Sequence, residues 1–425
     1  MTARDAQSQV PPHDAPDERA DLERAWEELA RRLVRDVPSD APTHAVPPVG
    51  AVLAVHTPGG ESLAVAGDRT LEPAAPMTPD TVHDLASVTK VAGTTVTVMR
   101  LVSEGLLALD RSVTSLLPAF AGGYKDDVTV RDLLEHRSGM AEWWPLYISA
   151  AGGPAPEAAY DVVDRLALRY APRSGHHYSD LGFVQLGRIV SAVTGLPLPE
   201  AVRALVLDPL GVDLGYGPPA GAPVAASGPD DRVERAMLDS GTPYPVPFSS
   251  ADFAGWRTGT IHGEVHDGNA FHALGGVSGH AGLFGTAGDL LRLATALAHA
   301  HEHTSIWSPA VVEEFVSTRH AVPTRSWNQA LGFRRYPVRL GGRTIEVLGH
   351  TGFVGAAMAF VPGGDVAVAL GTNRLLRGGP AVPLEPLLHQ ILRVALAPDL
   401  DAAGPRPPGG LRPSSPAPDL SRGTP

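Results

Sequence analysis

The stretch Leu85-Ala86-Ser87-Val88-Thr89-Lys90 decides how this chain is interpreted. It contains one of only two lysines, Lys90 and Lys125, in a chain with 34 basic residues. Lys90 follows Ser87 by three positions, where an apolar run compatible with a helix begins. Residues i and i+3 share a helix face, so the Ser87 hydroxyl and the Lys90 amine can meet.

Two interpretations of this pair are open. A lysine amine loses its proton when burial or neighbouring groups lower its pKa, whereas an arginine guanidinium does not. Ser87 would then be a nucleophile activated by Lys90, with the positive end of a helix beside the developing oxyanion. The alternative is an ordinary helix start with a solvated lysine. Because a serine precedes a given lysine by three about once in 15 by chance, the rest of the chain must decide.

The composition is that of a globular protein, with 425 residues, 43% hydrophobic and 19% charged. A net charge of −12 argues against nucleic acid or an anionic membrane as the main partner. The absence of cysteine excludes disulfides, thiolate zinc sites and cysteine nucleophiles. No stretch has the ~18 apolar residues of a membrane span, and the acidic start is not a signal peptide, so we expect a cytoplasmic protein.

Segments with the character of strands lie at both ends of the chain. They are residues 49–57, 62–67, 330–333, 344–348, 355–361 and 366–371. Turn residues at 58–60 and 362–365 join two pairs of these segments as hairpins. We therefore predict one antiparallel sheet built from both chain ends and followed by a helix over 384–396.

The middle of the chain is mostly helical. Helices are predicted from Ser87 to about Gly105 and over 17–37, 130–135, 160–170, 181–194, 200–207 and 289–300, with a surface loop over 218–247. Gly195 is a plausible C-cap. The fold class is α/β (α+β). The predicted domains are disordered tails at 1–17 and 398–425, a helix and linker at 18–48, and a catalytic domain at 49–397 with a helical subdomain at about 110–300.

Two further stretches carry residues suited to catalysis. Tyr178-Ser179-Asp180 stands in a loop just before a helix, and Leu348-Gly349-His350-Thr351-Gly352-Phe353 leads from one strand to the next through glycines. A tyrosine serves as a general acid or base when a nearby cation lowers its pKa. Glycine on a strand allows a ligand to approach the backbone.

Together these motifs resemble those of the serine β-lactamase and penicillin-binding-protein superfamily, especially its class C β-lactamase and carboxylesterase branch. That superfamily carries Ser-x-x-Lys, then Tyr-x-Asn or Ser-x-Asn, then Lys-Thr-Gly or His-x-Gly on a strand. This chain has Ser87-Val88-Thr89-Lys90, Tyr178-Ser179-Asp180 and His350-Thr351-Gly352 in that order, 91 and then 172 residues apart. The likeness covers roughly residues 49–397, including flanks at 81–87, 133–140 and 275–284, and implies a β-lactamase/transpeptidase-like fold.

The resemblance also implies an acyl-enzyme mechanism without a metal or cofactor. Ser87 would attack an acyl carbonyl, while Lys90 and Tyr178 would move the proton. The backbone N–H groups of Ser87 and Phe353 would form the oxyanion hole. The substrate would contact Asp180, His350, Thr351 and Gly352.

Two residues depart from the family pattern. Asp180 stands where the family often has asparagine, and an ionised Asp180 close to Lys90 would raise the lysine's pKa and favour Tyr178 as the base. His350 replaces the lysine that binds a β-lactam or peptide carboxylate, and neutral histidine binds a carboxylate poorly at pH 7. Both departures favour ester or amide substrates that lack this carboxylate.

Other residues have competing interpretations. One cluster consists of His262, His266, Asp267, Asn269, His272 and His280. It suits either a metal site or a loop near the substrate, and we favour the loop because the cluster lies on no clear helix. Trp143-Trp144 fits a hydrophobic substrate pocket or the core. Lys125 is expected to be solvated.

The leading hypothesis is a serine hydrolase that cleaves an ester, amide or peptide through an acyl-enzyme on Ser87. The alternative is an acyltransferase that passes the acyl group to an amine or alcohol. Further alternatives are a D-alanyl-D-alanine carboxypeptidase, a β-lactamase, or a non-catalytic ligand-binding domain. The oligomeric state stays open.

Overall fold

The computed structural model describes residues 18–39, 41–153, 155–317 and 320–397. The tails predicted at 1–17 and 398–425 lie outside these ranges. The strands are β1 Gly50–Thr57, β2 Gly60–Leu71, β3 Ala74–Pro76, β4 Val82–Asp84, β5 Gly215–Tyr216, β6 Leu283–Thr286, β7 His320–Ala321, β8 Asn328–Gln329, β9 Arg334–Leu340, β10 Arg343–Thr351, β11 Ala357–Phe360 and β12 Ala367–Thr372.

The helices are α1 Glu18–Arg35, α2 Val96–Ser103, α3 Val130–Leu134, α4 Leu146–Ser149, α5 Glu157–Arg165, α6 Asp180–Thr194, α7 Leu198–Val202, α8 Asp208–Leu210, α9 Arg232–Ser240, α10 Gly268–Ala273, α11 Ala287–Ala298, α12 Pro309–Ser317 and α13 Leu384–Ala395. The predicted helix after Ser87 is divided into a π-helical segment, Lys90–Thr95, and α2.

Both ends of the chain build one antiparallel sheet, as predicted. Within the described ranges it has nine strands in the order β3-β2-β1-β12-β11-β10-β9-β8-β7. The first strand pairs with the last, so Leu53 lies opposite Leu370. A smaller sheet has the order β4-β6-β5. The strand predicted at 330–333 was misplaced, because Gly332 turns the chain with φ +76° and pairing begins at Arg334.

Helices cover both faces of the large sheet. Side chains alternate along a strand, so Leu53 packs in a core with Trp26 of α1 and Leu388 of α13. Val52 packs on the opposite face in the core that contains Leu290 of α11. Because both faces are buried, β1 is apolar at nearly every position, which is why the sequence showed it clearly.

The helical region agrees with the prediction in part. The helices predicted over 130–135, 160–170, 181–194, 200–207 and 289–300 correspond to α3, α5, α6, α7 and α11, although α5 ends at Arg165, whereas α4, α8, α10 and α12 were not predicted. Helix α6 ends at Gly195, which adopts the left-handed conformation with φ +71° and caps the helix. The loop predicted over 218–247 contains α9, so that prediction was wrong in part. In the described part of the chain, no single helix has the length and hydropathy of a membrane span. The segments Asp180–Thr194 and Leu198–Leu210 reach them only when taken together, and a 76° bend separates the two.

Candidate active site

Ser87 lies in a tight turn between β4 and the π-helical segment. The residue before it, Ala86, has φ +45°, a conformation rarely adopted outside glycine. The Ala86 N–H donates to Asp84 Oδ1 at 2.8 Å, and the His266 N–H donates to Asp84 Oδ2 at 2.7 Å. Burial raises the pKa of Asp84 to about 6, although both N–H groups act to lower it. Asp84 therefore holds the strained turn that presents Ser87.

Lys90 contacts Ser87, as the spacing suggested. Its Nζ donates to Ser87 Oγ at 2.9 Å and to the His280 carbonyl at 3.3 Å. Asp180 Oδ1 is 2.7 Å from the same nitrogen, and the lysine side chain is fully buried. Burial acts to lower the pKa of Lys90, but the charge of Asp180 and the Tyr178 hydroxyl together raise it above its usual value. Lys90 is therefore a charged donor to Ser87.

Tyr178 lies beside Lys90 in a cage of rings. The Lys90 nitrogen is 4.9 Å from the centre of the tyrosine ring, and the rings of His136 and His350 are centred 4.5 and 5.9 Å away. The Tyr178 hydroxyl is buried and makes no well-aligned hydrogen bond with any residue the structure describes. The structure thus brings the tyrosine of the second motif next to the lysine of the first.

The flank at 133–140 positions the Tyr178 motif. His136 Nδ1 accepts a hydrogen bond of 2.9 Å from the Ser179 N–H, and Ser179 Oγ caps α6 by accepting from the Gly182 N–H. Burial, followed by nearby positive charges, holds the pKa of His136 well below its usual value. A neutral His136 therefore fixes the start of α6, at which Asp180 stands.

The third motif crosses directly over the Ser87 turn. A Cβ added to Gly352 would lie 2.4 Å from the Leu85 carbonyl oxygen, so a larger residue cannot bring β10 this close. His350 Nδ1 donates to the Thr351 carbonyl at 2.8 Å, and burial holds the pKa of His350 well below its usual value. The Phe353 carbonyl accepts from Arg374 Nε at 2.7 Å, which fixes the residue after the glycine.

Arg334 on β9 is a cation at this site that no sequence motif indicated. Its Nη1 donates to Thr351 Oγ1 at 2.8 Å and to Glu385 Oε1 at 3.2 Å, and its Cζ is 5.2 Å from the centre of the Tyr178 ring. Arg334 pairs with Gly349 of β10. A correct prediction of β9 would have indicated this residue, because the pairing of β9 with β10 puts Arg334 next to the third motif.

The histidine cluster forms the loops around the site. His280, whose carbonyl accepts from Lys90, donates from Nε2 to Asp267 at 3.0 Å and has its Nδ1 2.7 Å from Ser278 Oγ. His272 contacts Asp231 at 3.0 Å, and His262 contacts the Val224 carbonyl at 3.0 Å. Among the described residues no three His, Asp or Glu side chains are arranged to hold a metal ion.

Three other residues singled out from the sequence, Trp143, Trp144 and Lys125, are wholly or partly buried. Trp143 is 3% exposed and belongs to the core, while Trp144 is half-buried. Lys125 was expected to be solvated, and this was wrong. Its Nζ donates to the Asp164 carbonyl at 2.6 Å and lies 5.0 Å from the Phe120 ring centre. Its long apolar stem allows such burial.

Comparison with known proteins gives one family match. A family model described as Beta-lactamase matches residues 48–393. The chain is 30% identical over 365 residues to the N-acetylmuramyl-L-alanine amidase of Bacillus subtilis (strain 168), covering 76% of this chain and 77% of that protein. It is 28% identical over 323 residues to a putative D-alanyl-D-alanine carboxypeptidase of Escherichia coli (strain K12), covering 72% of each.

A solved structure has the same fold. It is a penicillin-binding protein homologue from Caulobacter crescentus, with a TM-score of 0.64, 24% sequence identity, and coverage of 90% of this chain and 98% of that chain.

Proposed function

Because the chain belongs to the beta-lactamase family of serine hydrolases, we propose that it cleaves an amide or ester bond through an acyl-enzyme formed on Ser87. The observation that carries the proposal is the 2.9 Å contact between Lys90 Nζ and Ser87 Oγ, made by a lysine that is ion-paired to Asp180. Amides are favoured because the two relatives are named as an amidase and a carboxypeptidase.

In the proposed acylation, Ser87 Oγ attacks the acyl carbonyl carbon and its proton passes to Tyr178. The bond to the leaving amine or alcohol then breaks as Tyr178 returns that proton to it. In deacylation, Tyr178 takes a proton from water as the water attacks the acyl carbonyl carbon, and it returns this proton to Ser87 Oγ as the acid is released. Tyr178 is favoured as the base because Asp180 keeps Lys90 protonated.

Lys90 has an electrostatic role in this mechanism. Its ammonium group donates to Ser87 Oγ, so it holds the nucleophile and stabilises negative charge as the serine loses its proton. The lysine therefore assists the loss of the serine proton without giving up its own.

The oxyanion would be bound by the backbone N–H groups of Ser87 and Phe353. The Gly352 contact with the Leu85 carbonyl brings the two segments together, and Asp84 fixes the Ser87 side of the pair. Loss of one such donor typically costs about 3 kcal/mol of transition-state stabilisation.

The test is active-site labelling followed by turnover. The wild type, Ser87→Ala and the matched control Ser115→Ala, an exposed serine, are incubated with a fluorophosphonate probe, and the adduct is located by mass spectrometry. N-acylamino acids, short peptides, aryl esters and a penicillin are then tried as substrates. We expect labelling at position 87 in the wild type and in Ser115→Ala, with loss of label and turnover in Ser87→Ala.

Absence of any adduct on Ser87 together with no turnover would contradict the proposal. Tyr178→Phe tests the assignment of the base separately. We expect it to slow acylation by 10²–10⁴-fold, in the range of general acid–base catalysis. An unchanged acylation rate would show that the proton leaves Ser87 by another route.

A further inference from the structure

We infer that a cavity beside α9 is a binding site for a neutral, largely apolar molecule that carries one hydroxyl group, and that His266 recognises this hydroxyl. The cavity has a volume of about 510 Å³. Sites for small organic ligands typically have about 300–1,000 Å³. The residues that line the cavity include none of those proposed above for catalysis. The inference therefore concerns a second site and does not depend on the reaction at Ser87.

The cavity lies between one side of α9 and the loop that follows β12. Val233, Met237 and Ser240 are three or four residues apart on α9, so they form one stripe along the helix that lines the cavity. Pro229, just before the helix, and Leu375, in the loop after β12, add apolar surface to the walls. Most of a ligand's contacts in this cavity would therefore be with apolar groups.

The charges at the cavity favour a neutral ligand. Arg232 Nε is 2.7 Å from Asp230 Oδ1, so these two lining residues neutralise each other. Arg232 Nη1 also donates to the Gly378 carbonyl at 3.2 Å, which holds the guanidinium at the wall. Burial, followed by the charge of Arg257, lowers the pKa of His266 to about 4, so its ring is neutral at pH 7. An ion would find no net opposite charge on these walls.

His266 contributes a buried polar atom to this apolar cavity. The residue is 1% exposed, and its Nδ1 lies 3.0 Å from Ser227 Oγ. Its Nε2 is buried and has no hydrogen-bond partner among the residues that the structure describes. A buried polar atom left without a partner costs free energy, and a ligand that bonds to it removes that cost. Nε2 is therefore the group that would select a polar ligand over an apolar one.

A hydroxyl group suits this nitrogen in either tautomer of the ring. If Ser227 donates to Nδ1, then Nε2 of His266 carries the proton and donates it to the ligand. If Nδ1 donates to Ser227, then Nε2 accepts from the ligand. A hydroxyl both donates and accepts, whereas a carbonyl only accepts and an ammonium only donates. An alcohol or a phenol therefore matches the site in both cases.

His266 also connects the cavity to the candidate active site. Its N–H donates to Asp84 Oδ2 at 2.7 Å, and its ring packs edge-on against the ring of Phe353, with centres 5.1 Å apart. Asp84 and Phe353 contact His266 but do not line the cavity. A ligand in the cavity would therefore contact the residue that supports the Ser87 turn without contacting Ser87 itself.

The methyl groups of methionine give a direct measure of binding, because the chain has only six methionines. Met237 lines the cavity, whereas Met140 lies in the flank that positions the Tyr178 motif. Protein with isotope-labelled methionine methyl groups is titrated with p-cresol and with p-fluorotoluene, a probe of similar shape without a hydroxyl, and followed by nuclear magnetic resonance. Met237→Leu assigns the Met237 resonance.

We expect p-cresol to shift the Met237 resonance to saturation and to bind about tenfold more tightly than p-fluorotoluene, the factor that one hydrogen bond supplies. His266→Phe should remove this difference, because it keeps an aromatic ring and loses both nitrogens. Ala236→Trp should weaken the binding of both probes, because Ala236 lines the cavity and a larger side chain would occupy it. Ala220→Trp, the same change at an exposed residue outside the cavity, should leave binding unchanged.

The inference is overturned if p-cresol does not shift Met237 to saturation, if the wild type binds both probes equally, or if Ala236→Trp binds them as the wild type does. A shift of Met140 without a shift of Met237 would also overturn it, since the probe would then occupy the candidate active site. Circular dichroism and thermal melting check that each variant folds. If His266→Phe does not fold, the comparison of the two probes in the wild type decides whether a hydroxyl is recognised. Failure of the proposed function would appear separately, as absent labelling of Ser87.

Discussion

Replacing Asp180 by asparagine should destabilise the fold at neutral pH and less so at alkaline pH. Asp180 Oδ1 and Lys90 Nζ are 2.7 Å apart, and the lysine is fully buried. With an effective dielectric constant near 20, their attraction is about 6 kcal/mol, part of which offsets the desolvation of both charges. Removing one partner of a buried pair costs roughly 3–5 kcal/mol. The asparagine oxygen can still accept from the ammonium, so we expect about 3 kcal/mol near pH 7.

The pH dependence follows from the direction of the shift in Lys90. In the wild type the pKa of Lys90 is raised, so its contribution to stability is complete below the unfolded value of about 10.4 and is lost as pH rises through the folded value. Without the carboxylate, burial would lower the pKa of Lys90 below the unfolded value. The penalty is then largest at neutral pH and shrinks as the buried amine loses its proton.

Urea unfolding at several pH values between about 7 and 10 measures the difference between wild type and variant. Asp208→Asn is the matched control, because Asp208 forms an exposed pair with Arg203 at 3.0 Å, and such pairs contribute less than about 1 kcal/mol. The reasoning is refuted if Asp180→Asn costs no more than the control near pH 7, or if its cost does not fall toward pH 10.

Three further results are expected. Gly352→Ala should lower kcat by 10²–10³-fold, measured with an aryl ester, because its Cβ would lie 2.4 Å from the Leu85 carbonyl oxygen and displace a proposed oxyanion donor. A wild-type kcat would contradict this. In the wild type, stability should fall as pH rises from about 4 to 6, because the raised pKa of Asp84 in the folded state makes its ionisation costly there. Asp84→Asn should remove this fall, as measured by urea unfolding at several pH values. Stability curves that run parallel in the two proteins would contradict this. Trp26→Ala, at a residue 1% exposed, should lower the unfolding free energy by about 3–5 kcal/mol, and a loss below about 1 kcal/mol would mean that α1 is dispensable.

The large sheet could be predicted from the sequence because its strands are buried on one or both faces. The segment predicted at 344–348 lies within β10, and the segments at 49–57 and 366–371 correspond to β1 and β12. Helix α9 was missed because a carboxylate lies on its buried face. Glu234 accepts from the Tyr147 hydroxyl and the Gly268 N–H, both at 3.1 Å, and such a charge hides the apolar spacing of a helix.

The part of the candidate site that could be predicted consists of residues in short sequence motifs. Ser87 and Lys90 are three residues apart, and the contact between them follows from helical geometry. Arg334 belongs to no such motif, since it reaches Tyr178 only because β9 pairs with β10. Glu385 comes from yet another element. A charge network assembled across several elements leaves no periodic signal in the chain.

The pairing of β1 with β12 also bears on how the protein is made. Residues 51–56 find their partners at 367–372, so the centre of the large sheet joins segments separated by most of the chain. Contacts of such long sequence separation are costly in loop entropy and form slowly. The Gly352 segment that covers the Ser87 turn belongs to the same late set. During synthesis, Ser87 is therefore translated long before the strand that completes its surroundings, and a ribosome-bound chain cannot assemble the candidate site until β10 has emerged.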